Sequence, residues 1–312
     1  MLKGRNLKGK DLKDKTLLKF LKTPTMSDRG FEYQIGKNTD KLPLNPTGQC
    51  QPGGLFFTDM ENMYRYMSYG AWIAMIELND EEDVYQEPCG TKYKAHTIII
   101  TSIIHVKDSF FFEDMNATLK TVTKYGLALE YIQNQTPEIC LAAVKENGRA
   151  LKFVNQQSPE VCLAAVAQNG HALKFVNQQT TEICLAAVAQ NGHALEYVNQ
   201  QTPDVCLTAV KTHGCALEHV QKQTPEICWA AVKQDGWALE CVQKQTPEIC
   251  WAAVRQNAWA LYLVKEQPPK ICWVAVTQYG YASVFMKDES MIPRKRTLIE
   301  AEVNQKTKRL CV

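Results

Sequence analysis

No uncharged apolar run of about 18 residues occurs in this chain of 312 residues, so no membrane-spanning helix is expected. The opening Met1-Leu2-Lys3-Gly4-Arg5 lacks the apolar core of a signal peptide. Histidine is scarce, at six residues, and nowhere shows the Cys/His ligand spacing of a zinc module. Gly53-Gly54 lacks the Lys-Ser/Thr end of a phosphate-binding loop and reads as a turn feeding a strand. Cys50, in Gln-Cys-Gln-Pro-Gly-Gly, and Cys89, in Pro-Cys-Gly, lack the surroundings of a cysteine hydrolase, although His96 or His105 could approach either in space. No catalytic residue, cofactor or metal ligand is therefore assigned, and the chain is expected not to be an enzyme.

Charge of one sign is missing too, but only on average. The net charge is +2, yet residues 1–24 carry eight Lys/Arg against two Asp, and residues 289–312 carry six Lys/Arg against three Glu. With +6 and +3 at the two ends, the middle is left at −7, which argues against a basic groove for nucleic acid; only the basic termini are compatible with that partner. Residues 1–24 beat on Leu2, Leu7, Leu12 and Leu17, and are expected to be a mobile or partly helical basic arm; contact with anionic lipid or nucleic acid is the alternative.

What is abundant is one phrase, written repeatedly from Tyr125 to Gly280: Thr-Pro-Glu-Ile-Cys-Leu-Ala-Ala-Val, two variable residues, Asn-Gly, one variable residue, Ala-Leu. Cys140, Cys162, Cys184, Cys206, Cys228, Cys250 and Cys272 stand 22 residues apart. Glycine recurs at Gly126, Gly148, Gly170, Gly192, Gly214, Gly236 and Gly280, with Ala258 the exception. The hydroxyl of Thr136, Ser158, Thr180, Thr202, Thr224 or Thr246, followed in most copies by proline and a carboxylate, marks a helix start, and Asn-Gly a stop. The last copy begins Gln267-Pro268-Pro269 and has lost the hydroxyl.

One repeat thus predicts a helix of about nine or ten residues, apolar on every side and sandwiched between neighbours, then a tight turn and a second helix of about seven. Helices this short are marginal alone, and the entropy of ordering one copy exceeds what its few apolar side chains recover. Stability must come from stacking, which predicts an α-solenoid of about seven and a half helical hairpins over residues 119–288, with 289–312 as a basic capping helix or tail. A leucine-rich repeat has a similar period, but its alternating leucines are missing. Stacked helices lie about 8–10 Å apart, too far for disulfides between the recurring cysteines, which read as small buried side chains in a reducing compartment. The same distance separates His171 from His193 and argues against a metal between them. Gln135, Gln157, Gln179, Gln201, Gln223, Gln245 and Gln267, ahead of each helix start, are expected to form a structural ladder.

Two columns of the phrase vary. The residue after the glycine runs Leu127, Arg149, His171, His193, Cys215, Trp237, Trp259, Tyr281, so this position is not locked in a core. The residue after the cysteine changes from leucine to Trp229, Trp251 and Trp273, either as interface anchors or as fillers of wider gaps between repeats. The partner-binding reading is adopted for the first column, at Arg149, His171, His193, Trp237, Trp259 and Tyr281.

Residues 25–118 have a different texture. Strands are expected at Phe31–Ile35, Gly54–Thr58, Ala71–Leu78, Val84-Tyr85 and His96–Thr101, with a helix from Asp59 to Tyr69, giving a compact α+β domain. The run Pro43-Leu44-Asn45-Pro46-Thr47-Gly48-Gln49-Cys50-Gln51-Pro52-Gly53-Gly54-Leu55-Phe56-Phe57-Thr58, with Tyr69-Gly70-Ala71-Trp72-Ile73, the acidic turn Asn79-Asp80-Glu81-Glu82-Asp83 and Tyr93-Lys94-Ala95-His96, resembles the N-terminal domain that precedes ankyrin or other repeats in many proteins of giant amoeba-infecting DNA viruses. The repeats are similar to a helical repeat family known only as a domain of unknown function, found in those viruses and in bacteria living in amoebae. The two resemblances cover about residues 28–285 and imply an architecture, without an established activity. They place the protein in the host cell cytoplasm, with nucleus or virion as alternatives. The expected role is a protein–protein interaction scaffold binding a host or viral protein through the variable edge of the solenoid. The alternative is an enzyme of undefined reaction in the N-terminal domain, with the repeats as substrate adaptor.

Overall fold

A computed structural model describes residues 4–24, 27–28, 31–46, 52–108 and 110–287. Cys50 and the expected capping helix of 289–312 lie outside the described residues. The chain divides into two compact units, Met1–Glu146 and Asn147–Val312.

The first unit is built on strands β1 (Arg5–Lys8), β2 (Leu17–Leu21), β3 (Ser27–Asp28), β4 (Phe31–Glu32), β5 (Gly36–Thr39), β6 (Leu55–Asp59), β7 (Trp72–Glu77), β8 (Asp83–Gln86), β9 (Tyr93–Ala95) and β10 (Thr97–His105). Eight of them form an antiparallel sheet in the order β1-β8-β9-β6-β2-β7-β10-β5, and β3 pairs with β4. Strand β6 serves both halves: Leu55–Phe57 pair with β9, and Thr58 and Asp59 pair with β2. Between Ile100 and Ser102 the register of β10 against β7 slips by one residue, a bulge at Thr101.

Among residues 1–24, the described ones from Gly4 on are not a mobile arm but two strands joined through a short 3-10 helix. Leu17–Leu21 is an inner strand buried at every position, and Leu12 and Leu17 belong to the core with Leu55, Phe57, Ala74, Ile76 and Ile98. Of the leucine beat, Leu12 and Leu17 are core anchors and Leu7 packs against them; Leu12 ends a short 3-10 helix, Gly9–Leu12. Lys19, which made the stretch look polar, places its ammonium 3.1 Å from the Phe56 carbonyl and over the Tyr33 ring. Three further lysines meet the acidic turn: Lys8 pairs with Asp83 at 2.9 Å, Lys10 with Glu81 at 3.3 Å and Lys13 with Asp80 at 2.7 Å. The expected helix from Asp59 is two 3-10 helices, Met60–Arg65 and Met67–Tyr69, burying Met63 and Met67.

Asp59 ties this unit together. Its carboxylate accepts from the Asn62 backbone N–H at 3.0 Å, the Asn62 amide at 2.7 Å, the Tyr93 hydroxyl at 3.0 Å and Lys15 at 2.9 Å. Burial alone would push its pKa up, but the hydrogen bonds from Lys15, Asn62 and Tyr93 outweigh it and hold the group below the usual carboxylate range.

Helices α1 (Met115–Val122) and α2 (Pro137–Glu146) complete the first unit. The second unit repeats one motif through α3 (Pro159–Gln168), α4 (Thr181–Gln190), α5 (Pro203–Thr212), α6 (Pro225–Gln234), α7 (Pro247–Gln256) and α8 (Pro269–Gln278), each packed on the next as an α-solenoid. The cap hydroxyls of Ser158, Thr180, Thr202, Thr224 and Thr246 each accept the N–H three residues on, at 3.3–3.4 Å. Pro268, in the copy without a hydroxyl, makes no such bond.

The second segment of each repeat is a six-residue 3-10 helix, such as Gly170–Phe175, tighter than the α-turns expected. Asn169 both closes α3, through its N–H to the Ala165 carbonyl, and caps the 3-10 helix by accepting from the His171 N–H at 3.1 Å. The glycine after it is not a left-handed stop: positive φ occurs, among the described residues, at Gly36, Gly53, Gly54 and Gly90. Its hydrogen is needed because the next repeat comes too close. A Cβ on Gly170 would stand 2.6 Å from the Ala187 carbonyl oxygen. The approach lets the Gly170 N–H donate to Gln190 Oε1 at 2.6 Å.

Two predictions test these contacts. Gly170→Ala should destabilise the array by about 1–3 kcal/mol, whereas Gly280→Ala, where a Cβ meets nothing within 4 Å, should stay within about 0.5 kcal/mol of the parent; urea unfolding of both checks this. Because the folded pKa of Asp59 is depressed, its stabilisation is present above the unfolded value of about 3.9 and is lost as pH falls through the folded value. Asp59→Asn should thus lower the thermal midpoint near neutral pH, and the gap should narrow as pH drops from about 7 to about 3.

Candidate interaction surface

The variable column lies where one repeat leans on the next. His171 Nε2 accepts from the Asn191 amide at 3.0 Å, and its ring meets Tyr197 edge-on at 5.8 Å. His193 lies 5.2 Å from the His213 ring and 6.0 Å from the His219 ring. Cys215 directs its thiol to Asp235 at 3.6 Å. Trp259 packs on Tyr279 at 5.3 Å and Phe285 at 5.2 Å. At His171, His193 and Trp259 this column therefore touches the residue 20 positions on, which precedes the next 3-10 helix, and the residue 26 positions on, which ends it; at Cys215 the first of these contacts is made.

Sequence analysis identified the first of these three columns and missed the other two. The signal was present: the column Asn169, Asn191, His213, Asp235, Asn257, Tyr279 and the column Phe175, Tyr197, His219, Cys241, Leu263, Phe285 also vary. Their partnership shows only once the offset between stacked repeats is known.

Arg149, Trp237, Trp259 and Tyr281 are exposed, the last three at 42%, 41% and 71%, while His171 and His193 are half-buried. Trp259 and Tyr281 are joined through Tyr279, whose ring stands 5.8 Å from that of Tyr281. The first helices are not apolar-covered on every side: Trp229, Trp251 and Trp273 are 45%, 41% and 40% exposed, so they do not fill gaps between repeats. Lys233 and Arg255 lie over the rings of Trp229 and Trp251, at 4.8 Å and 5.0 Å.

The recurring cysteines have a structural task. Cys162, Cys184, Cys206, Cys228 and Cys250 are buried and unpaired with one another, and each directs its thiol to the side-chain oxygen of the glutamine five residues earlier, at 3.5–3.7 Å. Burial pushes their pKa up, which suits a weak donor and not a nucleophile.

In the first unit a cleft of about 270 Å³ is lined by residues including Lys15, Asp59, Glu61, Tyr64 and Lys120. His96 is not among them, and its Nδ1 lies 3.1 Å from the Leu42 carbonyl. Asp59, the buried carboxylate of the cleft, is already committed to the cap and the Lys15 pair. No helix among the described residues is long and apolar enough to cross a membrane.

Residues 136–180, 158–202 and 180–224 match the family described as Domain of unknown function (DUF4116), each match spanning two repeats. The chain is 27% identical over 111 residues to ankyrin repeat protein R868 of Acanthamoeba polyphaga mimivirus, covering 31% of this chain and 55% of the relative. It is 24% identical over 88 residues to ankyrin repeat protein R229 of the same virus, covering 26% of this chain and 29% of the relative. The chain thus spans about half the length of the first relative and under a third of the second. No solved structure matches it. With the repeat geometry, these matches support a giant-virus repeat protein with a DUF4116 repeat region over residues 136–224.

Proposed function

We propose that this repeat protein is a non-enzymatic scaffold that binds a host or viral protein through the edge of its array, with the strongest contacts in the last three repeats. The observation that carries the reading is the placement of exposed apolar side chains. Among the described residues of the second unit, every large hydrophobic residue counted as exposed lies at or beyond Trp229. Aromatic anchors of this type dominate the energetics of protein interfaces, and a contiguous apolar patch on a water-facing surface marks a partner site. Arg149, His171 and His193 supply a polar margin earlier in the array. The relatives are named ankyrin repeat proteins of a virus, which supports a partner in an infected host cell, in its cytoplasm first and in nucleus or virion otherwise.

Proximity labelling in infected cells, with the parent chain and with Trp237→Ala and Trp259→Ala, tests the proposal. Each variant should weaken capture of the same partner by about 2 kcal/mol, or thirtyfold. Trp237→Ala should unfold within about 0.5 kcal/mol of the parent. Trp259→Ala should cost more, about 1–2 kcal/mol, because its ring also packs on Tyr279 and Phe285. Unchanged labelling by both variants would refute the proposed surface.

A further inference from the structure

We propose that His193, Glu218 and His219 form a binding site for one divalent transition-metal ion of the zinc class. His193 is the second residue of the 3-10 helix Gly192–Tyr197, and Glu218 and His219 end the 3-10 helix Gly214–His219 of the following repeat. One ligand atom from each lies within 4.8 Å of the others. Glu218 Oε1 is 3.1 Å from His219 Nε2 and 3.9 Å from His193 Nδ1. A tetrahedral ion with bonds of about 2.0–2.2 Å holds its ligand atoms about 3.3–3.5 Å apart. Two of the present separations, 3.1 and 3.9 Å, lie near that spacing, and the widest, at most 4.8 Å, has to shorten by about 1.3 Å to reach it.

The donor set decides the ion. Two imidazole nitrogens and one carboxylate suit zinc, cobalt, nickel or copper, whereas calcium and magnesium favour sites made of oxygen alone. Three protein ligands leave a fourth position for water or for a donor from another molecule.

His213 stands outside the ligand set for a stated reason. Its Nδ1 accepts the Gly192 N–H at 3.0 Å, the task that Gln168, Gln190, Gln234 and Gln256 perform for the glycines of other repeats. Thr212 occupies the glutamine position there and spends its hydroxyl on the Thr208 carbonyl at 2.9 Å. His213 thereby holds the repeat contact that sets His193 over Glu218.

Other interfaces place different residues at the equivalent positions: Arg149 faces Lys174 and Phe175, and Trp237 faces Tyr262 and Leu263. The ligands are 25 and 26 residues apart in sequence, a spacing set by the repeat period and absent from local zinc motifs.

The test uses the full chain, freed of any purification tag and kept reduced. Equilibrium dialysis against zinc with metal analysis should give one ion per chain, and the thermal midpoint should rise with zinc concentration. His193→Gln, Glu218→Gln and His219→Gln should each weaken binding at least tenfold and abolish that rise, with unfolding in chelator unchanged. Cobalt substitution should give a tetrahedral visible spectrum without thiolate charge-transfer bands. Absence of micromolar zinc binding, binding unaffected by the three variants, or thiolate bands showing capture by cysteines would each overturn the site. Partner labelling by Trp237→Ala and Trp259→Ala is read separately, so failure of the scaffold proposal leaves this result standing.

Discussion

One glutamine per repeat holds the array in register. The side-chain amide of Gln179 donates to the Tyr197 carbonyl at 2.7 Å, and its oxygen accepts the Asn199 N–H at 3.0 Å and the Cys184 thiol at 3.7 Å. Gln157, Gln201, Gln223, Gln245 and Gln267 bond in the same way to a carbonyl 18 residues on and an N–H 20 residues on. These carbonyls and N–H groups lie where the 3-10 helix breaks into the turn, so no regular ladder serves them, and an unserved backbone group near the interior costs about 1–3 kcal/mol. A single amide satisfies both and welds adjacent repeats. The cysteine stays in the phrase because a small buried thiol supplies one more donor to the amide oxygen without crowding the helices.

That seam explains which letters are free. The glycine hydrogen, the glutamine and the alanine pair fix how near two repeats come, leaving the residue after the glycine to settle against its two neighbours on the next repeat. Those three columns act as a unit, and their chemistry changes along the chain from histidine with tyrosine, through histidine with histidine, to tryptophan with tyrosine and phenylalanine. A fixed seam with a graded edge is what lets a repeat array keep its fold while its surface diverges.

What could be read from the sequence was whatever is local. Helix starts at Ser158 or Thr180, helices of ten residues, and the missing cap at Pro268 follow from side chains within one turn of the feature they control. Residues 1–24 could not be read in this way. Leu17–Leu21 is a strand because β6 and β7 flank it, some 40 and 55 residues on, and nothing within the segment announces them. The segregated charge misled for the same reason: the partners of Lys8, Lys10 and Lys13 are in the turn at 80–83. The edge residues chosen from the sequence include some that pack between neighbouring repeats, but their partners 20 and 26 positions away needed the stacking offset.

The lysine-rich start also bears on where this protein can meet others. Its ion pairs are largely exposed, worth about 0–1 kcal/mol each, so their consequence is geometric more than energetic. They lay β1 along β8 as one edge of the sheet, with Arg5 and Lys8 on a strand of four residues. The other edge, β5, is four residues long and begins with a glycine. Short edges, one of them charged, are poor templates for an added strand. Cation charge already engaged by an acidic turn also has less to offer a phosphate backbone or an anionic membrane. The sheet closes off its own edges, so on the scaffold proposal selective contact falls to the columns that the repeat phrase leaves open.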